Sequence, residues 1–128
     1  MCSLLLVAAC DTAQVQQPQP RPALAKQPSM VTPASAGKVL STPSGMTLYT
    51  YDKDVASQSN CYAECARYWL PFLGDFVSGS AGPLSLIARN DGAMQWAESG
   101  KPLYTFVQDR RPGDAKGDDF QNIWHVVR

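Results

Sequence analysis

Two cysteines four residues apart, Cys61 and Cys65, are the residues of this sequence with the clearest chemistry. Two thiols separated by one helical turn have their Cα atoms about 6 Å apart, which lies within the range that a disulfide spans. We predict a Cys61–Cys65 disulfide that stabilises a small domain. A redox-active pair is the alternative, although the spacing is neither that of C-x-x-C oxidoreductases nor that of C-x-x-C-H haem attachment.

His125 is the single histidine of the chain. One imidazole cannot form the histidine clusters of zinc or copper sites. Together with Cys61, Cys65 and Met46 or Met94 it could complete a soft metal site, but only if the thiols were reduced. We therefore predict an ordinary strand histidine and no metal or other cofactor.

Acidic residues cluster in two loops and would be the ligands of a calcium ion, if there is one. They are Asp52 and Asp54 in the first loop, and Asp109, Asp114, Asp118 and Asp119 in the second. Basic residues interrupt the second cluster and the spacing is not that of an EF-hand, so solvated turns are favoured over calcium. For Asp54 and Asp109 we predict a structural role, accepting hydrogen bonds from turn amides or a tyrosine hydroxyl.

No nucleophile elbow, phosphate loop or H-E-x-x-H motif occurs in the sequence, so we predict no catalytic residues and a protein that is not an enzyme. The 11 basic and 11 acidic residues cancel, which is unlike the basic excess of nucleic-acid-binding proteins. Aromatic residues could form a ligand platform, but a half-buried β core is their more common role. They are Tyr49, Tyr51, Trp69, Trp96, Tyr104, Phe106 and Trp124.

The chain contains an internal repeat with an offset of 55 residues. Residues 45–54 and 100–109 both fit the pattern G-x-x-L-Y-T-[YF]-x-x-D, and each is followed by a tryptophan fifteen residues after the aspartate. The repeated residues are Gly45, Leu48, Tyr49, Asp54 and Trp69 in the first copy, and Gly100, Leu103, Tyr104, Asp109 and Trp124 in the second. Positions that recur in both copies are expected to build the fold, so function is expected where the copies differ.

The elements that hold these residues are predicted to be mainly β strands. Alternating segments at 38–42, 46–51, 84–89, 93–97, 102–106 and 123–127 are separated by turn signals such as Asn90-Asp-Gly and Glu98-Ser-Gly. One helix is predicted over Cys61–Tyr68, with Asn60 as N-cap and Pro71 as its stop. The expected fold is a small antiparallel meander of two pseudo-equivalent repeats with one short helix.

The N-terminus has the features of an export signal. Residues 1–9 are predicted to be a signal-peptide remnant, because an apolar run ends in small residues before Cys10. The run Val7-Ala8-Ala9-Cys10 resembles a bacterial lipobox, in which the cysteine is lipidated, and we expect the true start codon to lie upstream. Residues 10–36 are rich in proline and glutamine and are predicted to be a disordered tether, so the two-repeat domain is expected at 37–128.

The Tyr49…Asp54 and Tyr104…Asp109 elements resemble the "secreted repeat of unknown function" lipoproteins of bacteria. Further matching segments are Cys61-x3-Cys65-Ala66, Trp69-Leu70-Pro71, Asp91-Gly92-x-x-Gln95, Gly100-x-Pro102-Leu103-Tyr104 and Pro112-Gly113-Asp114. The resemblance implies a β-rich domain on a lipid anchor in the cell envelope, on an inner or outer membrane, and implies no activity.

We therefore expect a non-catalytic binding or structural module. Its partners would be the membrane, through the anchor, and an unidentified envelope protein or ligand, but not nucleic acid. An envelope redox component using Cys61 and Cys65 and a metal- or small-ligand-binding protein are the alternatives.

Overall fold

The computed structural model describes residues 29–31, 39–75 and 82–128. The predicted signal segment 1–9, the predicted lipidation site Cys10 and most of the predicted linker 10–36 lie outside the described residues. Within the ranges described, no helix is long and apolar enough to span a membrane.

Short antiparallel strands are the main regular elements of the described chain, as predicted. In chain order they are β1 Ser29–Val31, β2 Val39–Ser41, β3 Tyr49–Tyr51, β4 Trp69–Pro71, β5 Leu73–Gly74, β6 Leu84–Ala88, β7 Met94–Glu98, β8 Lys101–Pro102, β9 Tyr104–Phe106 and β10 Trp124–Val126. The helix α1 spans Glu64–Tyr68, and a 3₁₀ turn spans Phe120–Asn122. The predicted fold class, mainly β with antiparallel sheets, one short helix and two repeats, is confirmed.

The strands form three sheets within the described residues. Strands β1 and β2 pair alone, a four-stranded sheet has the order β10-β3-β9-β4, and a third sheet has the order β5-β7-β6 with β8 also paired to β7. Strand β1 lies inside the range 10–36 for which the sequence predicts a linker, and its Val31 pairs with Val39. The proline and glutamine content of that range obscures the short apolar segment of Met30 and Val31.

The four-stranded sheet exchanges strands between the repeats. The tyrosine strands β3 and β9 lie side by side, with Tyr49 opposite Tyr104. The tryptophan strand of the first repeat, β4, pairs with β9, so Trp69 lies opposite Phe106. In the same way β10 of the second repeat pairs with β3, so Trp124 lies opposite Tyr51. The repeats are therefore related by a pseudo-two-fold axis, and neither can complete this sheet alone.

Each predicted tyrosine strand is broken where the chain passes between sheets, which corrects the continuous strands expected at 46–51 and 102–106. Leu48 and Leu103 occupy the two breaks, and their backbone hydrogen bonds go to other segments. Three backbone hydrogen bonds of 2.9–3.2 Å join Leu48, Leu40 and Val127 in a closed triangle: Leu48 N to Leu40 O, Leu40 N to Val127 O and Val127 N to Leu48 O. An equivalent triangle of backbone hydrogen bonds joins Leu103, Trp96 and Phe72.

The predicted helix is shorter than expected, and the assignment of Asn60 as its N-cap is wrong. Asn60 instead braces the preceding loop: its backbone amide donates to Asp54 Oδ1 at 2.6 Å and its side chain donates to the carbonyl of Lys53 at 2.7 Å. The loop therefore occupies the first predicted turn, and α1 begins only at Glu64, after Ala63 with a φ of 53°.

The assignment of Pro71 as the helix stop is also wrong. The helix ends at Tyr68 because the next residue, Trp69, already pairs with Phe106 in the sheet. Pro71 lies in β4, opposite Tyr104. Strand β4 has a neighbour on one side only in the four-stranded sheet, and a proline is tolerated on such an edge.

Two hydrophobic clusters share the interior, one on each side of the repeat strands. The aromatic core contains Val39, Tyr49, Cys61, Trp69, Tyr104, Phe106, Trp124 and Val126. The second core contains Leu40, Leu48, Phe72, Leu84, Trp96 and Leu103. In both repeats leucine and tyrosine are adjacent and point to opposite faces, so the sequence Leu-Tyr joins the two cores.

Candidate functional site

The repeated tyrosines and aspartates bond across the two repeats. Tyr49 donates its hydroxyl proton to Asp109 Oδ2 at 2.6 Å, and Tyr104 donates to Asp54 Oδ2 at 2.7 Å. The other carboxylate oxygen of Asp109 accepts from the amide of Lys116 at 2.9 Å. Both aspartates thus accept hydrogen bonds from a tyrosine hydroxyl and from a loop amide, as expected. Burial and the neighbouring carboxylate raise the pKa of both tyrosines, so they remain protonated donors.

A four-ring column lies beside these pairs, across the pseudo-two-fold axis. In order the rings are Phe106, Trp69, Trp124 and Tyr51, with centroid separations of 4.2, 3.9 and 4.1 Å. The two indole planes differ by 3°. Each tryptophan also meets the tyrosine of its own repeat edge-on at 5.2 Å. Trp69 and Trp124 are almost completely buried, as predicted for aromatic residues of a β core.

A buried arginine, which sequence reasoning missed, anchors one end of a hydrogen-bond chain. Arg89 donates to Ser59 Oγ at 3.0 Å, to Gln95 Oε1 at 2.7 Å and to the carbonyl of Cys61 at 2.9 Å. Ser59 lies 2.6 Å from the Tyr104 hydroxyl. Since Tyr104 donates its only proton to Asp54, Ser59 must be the donor in that pair.

The hydrogen-bond chain therefore runs from the Arg89 guanidinium through Ser59 and Tyr104 to the Asp54 carboxylate. Burial raises the pKa of Asp54, while the bonds from Asn60 and Tyr104 and the charge of Arg89 oppose that rise. Arg89 directly precedes a predicted Asn-Asp-Gly turn, where a charged residue is typically solvated. The equivalent tyrosine of the first repeat, Tyr49, has a different donor, because its hydroxyl accepts from the backbone amide of Gly117 at 3.3 Å.

The predicted disulfide between Cys61 and Cys65 is present, with Cα atoms 5.3 Å apart. Cys61 is fully buried in the aromatic core, whereas Cys65 is partly exposed. A thiolate metal site at these residues would require the bond to be broken first. The bond fixes the start of α1 to the loop that carries Ser59 and Cys61.

His125 bridges two aspartates rather than standing alone. Its Nε2 lies 2.8 Å from Asp52 Oδ2 and its Nδ1 lies 3.0 Å from Asp119 Oδ1. The pKa of His125 is raised, chiefly by its hydrogen bond to Asp52 and further by its hydrogen bond to Asp119. Burial lowers this pKa, but by less than the bond to Asp52 raises it. The corresponding positions in the other repeat are Leu70 and Val107, which are both exposed and apolar.

The second acidic loop does not converge on one point. Asp114 accepts from the backbone amides of Arg110 and Arg111, and these bonds lower its pKa. Asp118 accepts from the Val126 amide and from Arg128. Among the described residues no group of three or more histidine, cysteine, aspartate or glutamate side chains is placed to hold a metal ion.

A groove of about 390 Å³ opens above the aromatic column, on the pseudo-two-fold axis. We call it the axial groove, and its lining residues are Tyr51, Lys53, Glu64, Cys65, Tyr68, Trp69, Phe106, Gln108, Phe120, Gln121, Ile123 and Trp124. Several of these occupy equivalent positions of the two repeats, but only the tryptophans are identical. Lys53 corresponds to Gln108 and Tyr68 to Ile123. The groove is therefore lined by equivalent positions of the two repeats whose side chains differ in chemistry.

The fold and this groove define a class of protein: a small antiparallel β domain made of two interlocked Tyr…Asp…Trp repeats. The family model for the "secreted repeat of unknown function" matches the chain twice, at residues 30–72 and 85–128. The chain belongs to this family, as the sequence resemblance predicted. A secreted-repeat family is consistent with an extracellular or envelope location. No curated protein and no solved structure matches the chain.

Proposed function

We propose that this protein is a lipid-anchored, non-catalytic binding module of the bacterial envelope, and that the axial groove is its binding surface. The observation that carries the proposal is the position of the groove, where the two repeats meet and where their side chains differ. Small-ligand sites are concave, mostly apolar and furnished with a few polar groups. Apolar rings, two amides and two opposite charges line this groove.

The fold explains the residues around the groove only in part. Trp69 and Trp124 are needed for the core, but Tyr68 and Phe120 are 51% and 40% exposed. An exposed aromatic ring beside a concave surface loses apolar hydration when a ligand covers it, which makes such rings typical of binding sites.

Photo-crosslinking from the groove tests its role in binding. A photoreactive amino acid in place of Phe120 is expected to capture a specific component of native envelopes. The same substitution at Leu70, which is similarly exposed outside the groove, is the matched control. Equal capture from both positions would refute the groove as the binding surface.

The lipid anchor rests on the motif Val7-Ala8-Ala9-Cys10 and agrees with a secreted-repeat family. Metabolic labelling with a fatty acid is expected to mark the native protein, and Cys10→Ala is expected to abolish the label and release the protein from membranes. Cys2→Ala is the matched control and should keep both. A Cys10→Ala protein that is still labelled and sedimented would refute the anchor.

A redox role is a second candidate, favoured by one observation: the sulfur pair borders the axial groove through the partly exposed Cys65. An incoming thiolate would attack Cys65, the S–S bond would break, and Cys61 would leave as the thiolate. A reduction potential within the range of disulfide oxidoreductases supports this role. A potential below about −300 mV is typical of structural disulfides and would exclude it.

A further inference from the structure

We infer that the axial groove binds a neutral glycan. The inference rests on the proposed function, since it names the ligand class for the same groove. It is argued from the rings, the amides and the charges that line the groove, taken in turn.

The exposed rings favour a ligand with flat C–H faces. Tyr68 ends α1 and Phe120 begins the 3₁₀ turn, so the two rings are held on separate elements of the groove wall. The π face of an aromatic ring is negative, and it attracts the weakly positive C–H groups that cover one face of many sugar rings. Phe120 is also held in place, at 5.9 Å from Trp69 and 5.8 Å from Phe106.

The amides favour a ligand whose polar groups both donate and accept. Gln108 and Gln121 are exposed residues of the groove lining. A glutamine side chain offers two N–H donors and a carbonyl acceptor. Hydroxyl and acetamido groups match both functions, whereas an acyl chain would cover these amides without replacing their hydrogen bonds to water, which costs free energy.

The charges favour a neutral ligand. The charged side chains of the lining are Lys53 and Glu64, which contribute one charge of each sign. A polyanion such as a phosphate polymer needs a basic excess, and a polycation needs an acidic one. A volume of about 390 Å³ lies near the lower end of the roughly 300–1,000 Å³ of small-ligand sites, so the groove would hold a short segment of a longer chain.

Titration of the detergent-solubilised full chain with chitotetraose tests the inference. Binding is expected to change the tryptophan fluorescence, because Trp69 and Trp124 form the groove floor. It is also expected to raise the melting temperature, because a ligand that binds only the native state stabilises it. Cellotetraose, a second neutral glycan, is expected to bind as well, because its hydroxyl groups also donate and accept hydrogen bonds. Gln121→Ala is expected to weaken the binding of both glycans.

Matched variants connect the binding to the groove. Tyr68→Ala and Phe120→Ala are each expected to raise the Kd about ten-fold. Leu70→Ala removes a side chain that is 45% exposed on the opposite face of the sheet, and its Kd should stay within about two-fold of the wild type. Crosslinking of a photoreactive chitotetraose, mapped by peptide mass, locates the site without any variant.

The outcomes separate the ligand class from the groove itself. Glycan binding that is equal in all variants, or crosslinks outside the groove, would overturn the inference. Binding of an anilinonaphthalene sulfonate dye but of neither glycan, with loss in Phe120→Ala, would overturn the glycan class and leave the proposed groove in place. Binding of no probe, together with equal photo-capture from Phe120 and Leu70, would overturn both.

Discussion

At the scale of single residues, the repeat motif is a reciprocal arrangement of donors and acceptors. The tyrosine of each repeat donates to the aspartate of the other repeat. The two residues are 60 positions apart in the pair Tyr49–Asp109 and 50 positions apart in the pair Tyr104–Asp54. Hydrogen bonds to a charged acceptor that is shielded from water are among the stronger ones in proteins. The motif is therefore a device that joins two copies, and a single copy would leave both groups without their partner.

The pair Tyr49–Asp109 is expected to contribute strongly to stability. Tyr49→Phe should lower the free energy of unfolding by roughly 1.5–3 kcal/mol, because Asp109 loses a donor in a buried site. With Asp109→Asn as the second variant, urea unfolding should show a double mutant that loses less than the sum of the single ones. Tyr68→Phe, at an exposed position, is the control. Additive losses would show that the pair is not coupled.

His125 is expected to make stability depend on pH. Its pKa is raised in the folded protein, so the stabilisation is complete below the unfolded value of about 6.5 and is lost as the pH rises through the folded value. Because the site is partly exposed and screened, the loss should be about 1 kcal/mol or less. Thermal unfolding over this pH window measures it.

The equivalent position provides the control for that experiment. His125→Gln should remove the pH step, whereas Leu70→Gln should leave it unchanged. A step of the same size in His125→Gln would assign the pH dependence to another group.

At the scale of the elements, short strands are held by loops rather than by their own length. Strands of two to five residues make few ladder bonds, so turns and side chains supply the remainder. Asp54 and Asp109 each accept from a backbone amide of the loop that follows, and Asp114 accepts from the amides of Arg110 and Arg111, which precede it. The disulfide has the same role for α1, which has five residues and no side-chain N-cap.

Loss of the disulfide is expected to loosen α1 and leave the rest of the fold intact. The double variant Cys61→Ala/Cys65→Ala has no crosslink, so its unfolded chain gains conformational entropy. Because the lost loop is short, the free energy of unfolding should fall by only about 2 kcal/mol. Hydrogen exchange should accelerate in Glu64–Tyr68 before β3 and β9. An acceleration in Glu64–Tyr68 that is no greater than in the strands would mean that the bond stabilises the whole domain and not the helix locally.

At the scale of the whole molecule, the repeats are interlocked rather than placed side by side. Trp69 of the first repeat belongs to a strand pair with Phe106 of the second, and Trp124 pairs with Tyr51. The stacked indoles then close the interface between the repeats. Most of the aromatic core exists only when both copies are present.

Separate halves are therefore expected not to fold. Peptides covering residues 29–75 and 82–128 should each be unstructured alone, because each lacks the partner strands of its tyrosine and tryptophan segments. Mixed together they should recover the native near-UV circular dichroism, with a midpoint that depends on peptide concentration. A half containing Tyr104→Phe should complement less well. Independent folding of either half would contradict the interlocked arrangement.

Much of this organisation could be predicted from the sequence, for physical reasons. The repeat, the Leu-Tyr alternation and the Asn-Asp-Gly turn are local patterns, and they predict β strands and a core of aromatic residues. The hydrogen bond from Tyr49 to Asp109 of the other repeat could not be predicted. The same sequence motif would be seen if each tyrosine bonded to the aspartate of its own repeat. The Arg89–Ser59 and His125–Asp52 contacts were missed, since their partners lie 30 and 73 residues apart in the sequence.

The pseudo-two-fold axis also describes how such a fold can originate. A chain with one repeat could complete the same sheet only with a second, identical chain, and the resulting homodimer would present an isologous interface. In that ancestor both halves of the axial groove would be obliged to carry the same side chains. After gene duplication and fusion the two halves of the groove can carry different side chains, as at Lys53 and Gln108 or at Tyr68 and Ile123. The buried Tyr–Asp and Trp–Trp pairs remain the same in both repeats.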